Sequence, residues 1–410
     1  MSRQVTLVVV DRGGNPLGVL PPFPADPPYW QEVADIVSGA RHRFGAEVSM
    51  LRVLDGVGED GTAVGGTVTY LAEADDLPEK WRGPVPPLPA HRMRHRYAEP
   101  GGPARTLAWA RSVLEACGRG PVTGTQQLRT WNLSTVWRLD TSTDPYWLKE
   151  VPHFLAHEGV VLRWIAGRSP DLVPPVIGAG SSDGCSASSR AGGRLLLGHV
   201  PGEDRYDGGL AVRDAIDAAF HPVQLAAADR VDELIAAGVP DARTPALGSR
   251  LAAVVAQHGN GDPRLRDLVA GLPDRLAEVR RCGLPDTLVH GDLHPGNTRS
   301  LPGTDGPPVI VDWGDSFIGQ PAFDILRLTE RLPPAEVDSL LSAWADRWRA
   351  SRPGSDPLRA AELLRPIAAL RNAAVYARFL DNIEPAEHTY HRLDVPHWLG
   401  VAADQASVDN

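Results

Sequence analysis

The run Leu288-Val289-His290-Gly291-Asp292-Leu293-His294-Pro295-Gly296-Asn297, followed by Val309-Ile310-Val311-Asp312-Trp313, constrains this chain more than any other stretch. It reads as an apolar strand, a turn-rich loop, a second apolar strand and an acid. Gly291, Pro295 and Gly296 break regular structure, so residues 290–297 form a loop, and loops held by rigid strands often present functional groups. Val309 to Val311 is a β-branched run, which puts Asp312 at the end of a buried strand. Asp292 is followed by Asn297 five residues later and by Asp312 fifteen beyond that. One carboxylate to orient or deprotonate a hydroxyl, plus an amide and a carboxylate for a hard cation such as Mg²⁺, is the set that phosphoryl transfer from ATP requires. Taken singly, each residue is more often a turn cap. Together, each behind an apolar strand, they favour the chemical reading. His290 is read as packing behind the loop and donating to a backbone carbonyl. His294 is given no catalytic part.

At 410 residues the chain is long for one domain, and two or three are expected. A net charge of −10 argues against general nucleic-acid binding and suits a cationic small substrate only weakly. Cys117, Cys185 and Cys282 lie far apart without metal-ligand spacing, so they read as ordinary thiols of a reducing compartment. The apolar run Val5 to Val10 ends at Asp11 and is too short for a secretory core, and no stretch approaches a membrane span. A cytoplasmic protein with access to ATP is expected, without membrane or nucleic-acid partners.

Residues 1–80 read as a small α+β domain: strand Val5–Val10, a turn at 11–15, a return at Leu17–Leu20, a helix over Trp30–Phe44, and strands at Val48–Val53 and Thr67–Leu71. Residues 81–104 read as a Pro/Arg-rich linker, with Arg92, Arg94 and Arg96 a solvated cluster. Residues 105–200 form a strand-rich lobe: a helix near 104–117, strands at 127–129, 135–139 and 147–151, a helix at 156–165 and a strand at 195–200. Residues 201–410 are mainly helical, at 212–237, 247–257, 264–281, 335–350, 357–380 and 396–405, interrupted by the strands around the opening motif.

The phosphate side needs a cation. Lys149 is one of only two lysines, stands on the strand Tyr146-Trp147-Leu148-Lys149-Glu150, and precedes Glu158 on the next helix by nine residues. A strand lysine on the α- and β-phosphates, held by a helix carboxylate, is the ion-pair logic of a kinase small lobe. A solvated edge lysine is the plainer alternative.

At this point residues 105–410 resemble the aminoglycoside phosphotransferase and choline-kinase-like family. Its brackets are matched by His290-Gly291-Asp292 through Asn297, by Val311-Asp312-Trp313, and by Gly319-Gln320-Pro321-Ala322-Phe323-Asp324. The resemblance implies an α+β, protein-kinase-like bilobal fold, with a β-rich small lobe and a helical large lobe. It implies ATP and Mg²⁺ as cofactors, with GTP left open, and a small hydroxylated acceptor: an aminoglycoside or other antibiotic, a sugar or an amino alcohol. By the same resemblance, Asp324 braces the loop, and His199 and Val200 lie in the hinge whose backbone meets the base. Ser134 is a candidate β-phosphate contact, although Arg129-Thr130-Trp131-Asn132-Leu133-Ser134 lacks the glycines of a phosphate-covering loop. Acidic groups such as Glu203, Asp204, Asp381 and Glu384 are candidates to meet an acceptor's ammonium groups, though each reads more simply as a surface charge.

The N-terminal region resembles a degenerate Nudix-like domain. Aligned on Gly45, its metal-binding acid positions fall on Gly39, His42 and Arg43, so pyrophosphatase activity is not expected. A structural, lid-like or homodimerising role remains for it. A catalytically weak, pseudokinase-like regulatory protein is the alternative function. Retention of Lys149, Asp292, Asn297 and Asp312 argues against it. A protein kinase is disfavoured because no His-Arg-Asp loop, Asp-Phe-Gly or Ala-Pro-Glu segment is present, and only about twenty residues separate Asp312 from the next expected helix.

Overall fold

The computed structural model describes residues 2–181, 192–301 and 308–408. The N-terminal part runs β1 (Arg3–Val10), β2 (Pro16–Ala25), α1 (Ala34–Phe44), β3 (Ser49–Val57) and β4 (Thr67–Glu73). Next come α2 (Gly102–Ala116), β5 (Gly124–Trp131), β6 (Ser134–Asp140), β7 (Tyr146–Val151), α3 (Glu158–Ala166), β8 (Val176–Ser181) and β9 (Gly193–Gly198). The remainder holds β10 (Glu203–Asp204), α4 (Leu210–Ala228), α5 (Val231–Ala236), α6 (Ala246–His258) and α7 (Pro263–Arg281). It continues through β11 (Thr287–Val289), β12 (Thr298–Ser300), β13 (Val309–Ile310), β14 (Phe317–Gly319), α8 (Ala322–Thr329), α9 (Pro334–Ser351), α10 (Pro357–Leu380) and α11 (Asp394–Val408). Among the described residues no helix is long and apolar enough to cross a membrane.

The chain divides into two compact units. The first comprises Met1–Ala156, Val176–His199 and Phe379–Leu393. Its N-terminal sheet has the order β2-β1-β4-β3, with β1 parallel to β4 and the other pairs antiparallel. Alternation along β1 sends Val5, Leu7 and Val9 to a core shared with Trp30, Ile36 and Ala40, while Val8 and Val10 meet Leu51 and Leu71 on the other face. Val85 and Leu88 pack against that second face, so the stretch read as a linker carries part of the covering. Trp30, expected inside the helix, lies ahead of α1, fully buried, with Nε1 donating to Gly65 O at 2.8 Å.

The second sheet of this unit is antiparallel, in the order β5-β6-β7-β9-β8. Leu107, Ala110 and Leu114 of α2 cover one face through Trp137, Leu139, Tyr146, Leu148 and Leu196. The edge strand β8 escapes a sequence reading because Val-Ile-Gly-Ala-Gly-Ser carries two glycines and one clear β-former pair. The two sheets are tied by Gln127, a buried amide that accepts from Met50 N at 2.7 Å and donates to Met50 O at 2.9 Å.

Arg94 is not a solvated connector residue. Its Nε and Nη2 reach the two carboxylate oxygens of Glu384 at 2.8 and 2.9 Å, with both side chains largely buried. Glu384, expected at the surface or facing a substrate amine, is therefore committed to an internal ion pair.

The second unit comprises His157–Pro175, Val200–Arg378 and Asp394–Asn410. Here α4 packs on α9 and β11, and α7 packs on α6 and α11. Two small antiparallel sheets, β10-β12-β13 and β11-β14, carry the loop motif. The apolar heptad-like spacing of Leu265, Leu268, Leu272, Leu276 and Val279 explains α7, whose start is capped by Asp262 accepting from Arg264 N. A helix begins at Ala322, only ten residues beyond Asp312, where the sequence reading expected none.

Candidate active site

The site is built on two paired strand ends. β11 pairs with β14 in the register Thr287↔Gly319 and Val289↔Phe317, and β12 pairs with β13 through Thr298↔Ile310. The backbone bond from Val311 N to Asn297 O, 2.9 Å, continues that second ladder and sets Asp312 one residue past the amide's partner. The four residues that follow β11 turn away from the sheet at Gly291, whose φ of +86° lies in the left-handed region. A side chain there would also strike the Asp315 carbonyl, so glycine is required twice over.

His290 is fully buried behind this turn. Its Nε2 lies 3.0 Å from Val311 O, and its Nδ1 accepts from Asp292 N at 3.3 Å, so the two partners set the tautomer as Nε2–H. Burial pushes its pKa down to about 4, and the ring is neutral. It packs against Trp313 at 4.6 Å between ring centroids, and Trp313 in turn meets Phe220. The expected role behind the loop is what the geometry shows.

Asp324, at the start of α8, accepts from His290 N at 2.9 Å and from Gly291 N at 3.0 Å, bracing the turn as the motif implied. Burial raises its pKa to about 7 against those two bonds, which lower it. Arg371 of α10 closes the loop from the other side. It donates to Gly291 O and to Asp315 O, both at 3.1 Å, and stacks over Phe317.

Asp292 is half-buried at the centre. Asn297 Nδ2 donates to its backbone oxygen at 3.0 Å and to Oδ2 at 3.1 Å, which turns the asparagine's acceptor oxygen, Oδ1, away from those bonds. Arg327 Nε donates to Asp292 Oδ1 at 2.7 Å, and His294 Nε2 stands 3.6 Å from Oδ2. Burial opposes ionisation of Asp292. His294 and the Arg327 guanidinium outweigh it and hold the carboxyl well below the usual carboxylate range. Asp312 is exposed and holds φ 63°, ψ 64°, a left-handed backbone that an L residue adopts at a cost.

Asp292, Asn297 and Asp312 are thus brought together by one pair of loops. Among the described residues no group of three or more His, Cys, Asp or Glu side chains is placed to hold a metal. An amide oxygen and one carboxylate nonetheless fit Mg²⁺, which keeps several waters and takes the rest of its shell from substrate phosphates.

The other expected residues lie elsewhere in the fold. Lys149 stands in the middle of β7, opposite Val136 and Leu195. Glu158 is buried as the first residue of α3. Ser134 opens β6 directly after a two-residue turn, and its Oγ accepts from Trp131 Nε1 at 3.1 Å. His199 is exposed and accepts from Trp147 Nε1 at 3.2 Å. Val200 is buried, with its carbonyl taking a bond from Arg299 Nε at 3.2 Å. Asp204 is occupied by the same arginine at 2.6 Å.

Arg327, His294 and Arg371 were not anticipated. A signal for Arg327 exists: it is the one charged side chain after Asp324 in the apolar run Phe323 to Leu328.

The phosphotransferase enzyme family matches residues 125–393, well over half of the chain, and the protein belongs to that family. Among solved structures, the GDP complex of wild-type aminoglycoside 2′-phosphotransferase-IIIa is similar at 16% identity and a TM-score of 0.50, over 74% of this chain and 99% of that one. That likeness supports the protein-kinase-like α+β fold. Macrolide 2′-phosphotransferase from Brachybacterium faecium aligns at 19% identity and a TM-score of 0.48, over 70% of this chain and 98% of that one. An aminoglycoside phosphotransferase described from Ralstonia eutropha aligns at 18% identity and a TM-score of 0.48, over 72% and 98%. No curated protein sequence matches the chain.

Proposed function

We propose that the protein is an ATP-dependent O-phosphotransferase acting on a hydroxyl of a small molecule. The observation that carries the reading is the cluster of Asp292, Asn297 and Asp312, held by the Asp324 and Arg371 braces. In the reaction the bond between the γ-phosphorus and the β,γ-bridging oxygen breaks, and a bond from the acceptor oxygen to that phosphorus forms. ADP leaves, and the acceptor's proton passes by way of Asp292 to solvent. With its pKa held low, Asp292 acts mainly by orienting the hydroxyl. Asn297 and Asp312 would hold Mg²⁺, which supplies charge neutralisation at the phosphates. Lys149 is assigned to the α- and β-phosphates, with Glu158 as its supporting carboxylate. The stretch with His199 and Val200 is assigned to the base, and Ser134 to the hairpin that covers the phosphates.

The test is ATP and GTP consumption with Mg²⁺ over a panel of hydroxylated acceptors, comparing the native chain with Asp292→Ala. The expected result is acceptor-dependent turnover that the variant loses while remaining folded. Near-native kcat in Asp292→Ala would refute the mechanism.

A further inference from the structure

We propose that the acceptor is compact and carries an anionic group, which Arg365 reads at a cavity beside the catalytic loop. The proposal rests on the phosphotransferase reading above and names its substrate class. The cavity has a volume of about 170 Å³ and lies wholly within the second unit, among α8, α9, α10, α11 and the Gly291 backbone. Gly291, which lines the cavity, is the residue before Asp292, and the proposal places the acceptor's hydroxyl at that loop. The volume falls below the roughly 300–1,000 Å³ of pockets for drug-sized ligands, which favours a metabolite-sized acceptor over a multi-ring antibiotic.

The charge of the lining points the same way. Three guanidiniums, Arg327, Arg365 and Arg371, face one carboxylate, Glu330. Glu330 is already taken by Arg327, and so is Asp292 on the adjoining loop. An acceptor rich in ammonium groups would therefore bring cations to a wall with no uncommitted carboxylate among the described lining residues. Arg371 spends its donors on the Gly291 and Asp315 carbonyls. Arg365 is different. It is exposed on α10, it lines the cavity, and among the described residues it has no ion-pair partner. Its planar fork matches a carboxylate or a phosphate bidentately. Trp398 offers an apolar wall for a carbon skeleton and Asn372 a polar one.

The experiment uses the full chain with ATP and Mg²⁺ and four acceptor sets: hydroxy acids with sugar acids, sugar phosphates, matched neutral sugars, and a polyammonium aminoglycoside. Calorimetry measures direct binding of the anionic sets in parallel. An anionic set should surpass its neutral match in kcat/KM by about tenfold to a hundredfold, the worth of a charged hydrogen-bonded pair. Arg365→Ala should raise KM by a similar factor with a smaller effect on kcat, and Arg365→Lys should restore part of it. Which anionic set prevails tells a carboxylate from a phosphate reader. Preference for the aminoglycoside, or an unchanged KM in Arg365→Ala, would overturn the proposal. Binding of an anionic compound that Arg365→Ala weakens, without any product, supports the site and rejects only the phosphotransferase reading. Absence of both binding and turnover with every anionic compound overturns the site.

Discussion

Arg327 Nε donates to Asp292 Oδ1 at 2.7 Å, linking the loop after β11 to a helix that begins thirty residues later at Ala322. The same guanidinium bonds Glu330 one turn on, so Asp292 is held by a group that is itself held. The ion pair fixes the carboxylate's direction and keeps it ionised. A carboxylate so stabilised is a weak base and a good orienting group.

Replacing Arg327 by glutamine should therefore change the pH profile as well as the rate. In the native chain the Asp292 pKa is held down by His294 and Arg327 against burial, so the acid limb of kcat/KM attributable to it lies below the ordinary carboxylate range. Stability from this group is present above the unfolded carboxyl value and is lost only as pH falls through the lower folded value. Without the guanidinium, His294 alone opposes burial, and the acid limb moves upward. We expect kcat to fall by about tenfold to a hundredfold at neutral pH, the scale of a misplaced reacting group. Rate profiles from about pH 4 to about pH 8 measure both effects. An acid limb that stays put would remove Arg327 from this role.

Glu387 predicts the opposite sign. It is buried in the first unit, and burial together with repulsion from Glu384 raises its pKa to about 8, despite Arg52 and Arg94. A carboxyl with a raised folded pKa favours the folded state while protonated. That contribution fades as pH rises from the unfolded value near 4.5 to the folded value near 8. Glu387→Gln stays neutral throughout. Its Tm relative to the native chain should thus rise steadily across that window and level off above it. Melts at several pH values check this, and a difference independent of pH would show that Glu387 is not protonated in the fold.

How much of this was legible in advance depends on the range of the interaction. His290 and Gly291 were readable because their roles follow from a loop and a turn set by local spacing, and Asp324 because the resemblance implied a brace there. The helix over Pro263–Arg281 was readable from its amphipathic apolar spacing. α8 was not, because it is only eight residues long and its sequence is interrupted by Asp324 and Arg327, too short a stretch to fix a helical period. Arg327 was missed with it. Arg94 and Glu384 lie 290 residues apart, and nothing local distinguishes a buried pair from two surface charges. The trace of Lys149 and Glu158 gave element positions correctly, with Lys149 on β7 and Glu158 opening α3.

Asn132 should control the rigidity of the β5–β6 turn. It is buried at the hairpin tip, where Oδ1 lies 3.1 Å from His391 Nε2 and Nδ2 reaches Glu387 O at 3.4 Å. Trp131 packs on Tyr390 and His391 beside it. A turn without glycine is thus held by side-chain bonds from the segment Phe379–Leu393. Asn132→Ala removes the amide's bonds to the His391 imidazole and to the Glu387 carbonyl, a loss of about 1–3 kcal/mol. We expect faster hydrogen exchange at the amides of residues 128–136 and a weaker nucleotide affinity. Unaltered exchange at those amides would show that the sheet alone holds the hairpin.

Asp312 allows stability and function to be separated in one position. Its φ of 63° costs an L residue about 1 kcal/mol, which glycine does not bear. Asp312→Gly should therefore match or slightly exceed the native Tm, while Asp312→Ala, with the same backbone and a Cβ, should not gain. Both variants remove the carboxylate assigned to Mg²⁺ and should lose metal-dependent nucleotide binding alike. Calorimetry with and without Mg²⁺, run beside thermal melts, reads the two effects independently. Metal-dependent binding that survives in Asp312→Gly would mean that the left-handed turn, and not the carboxylate, is what this position supplies.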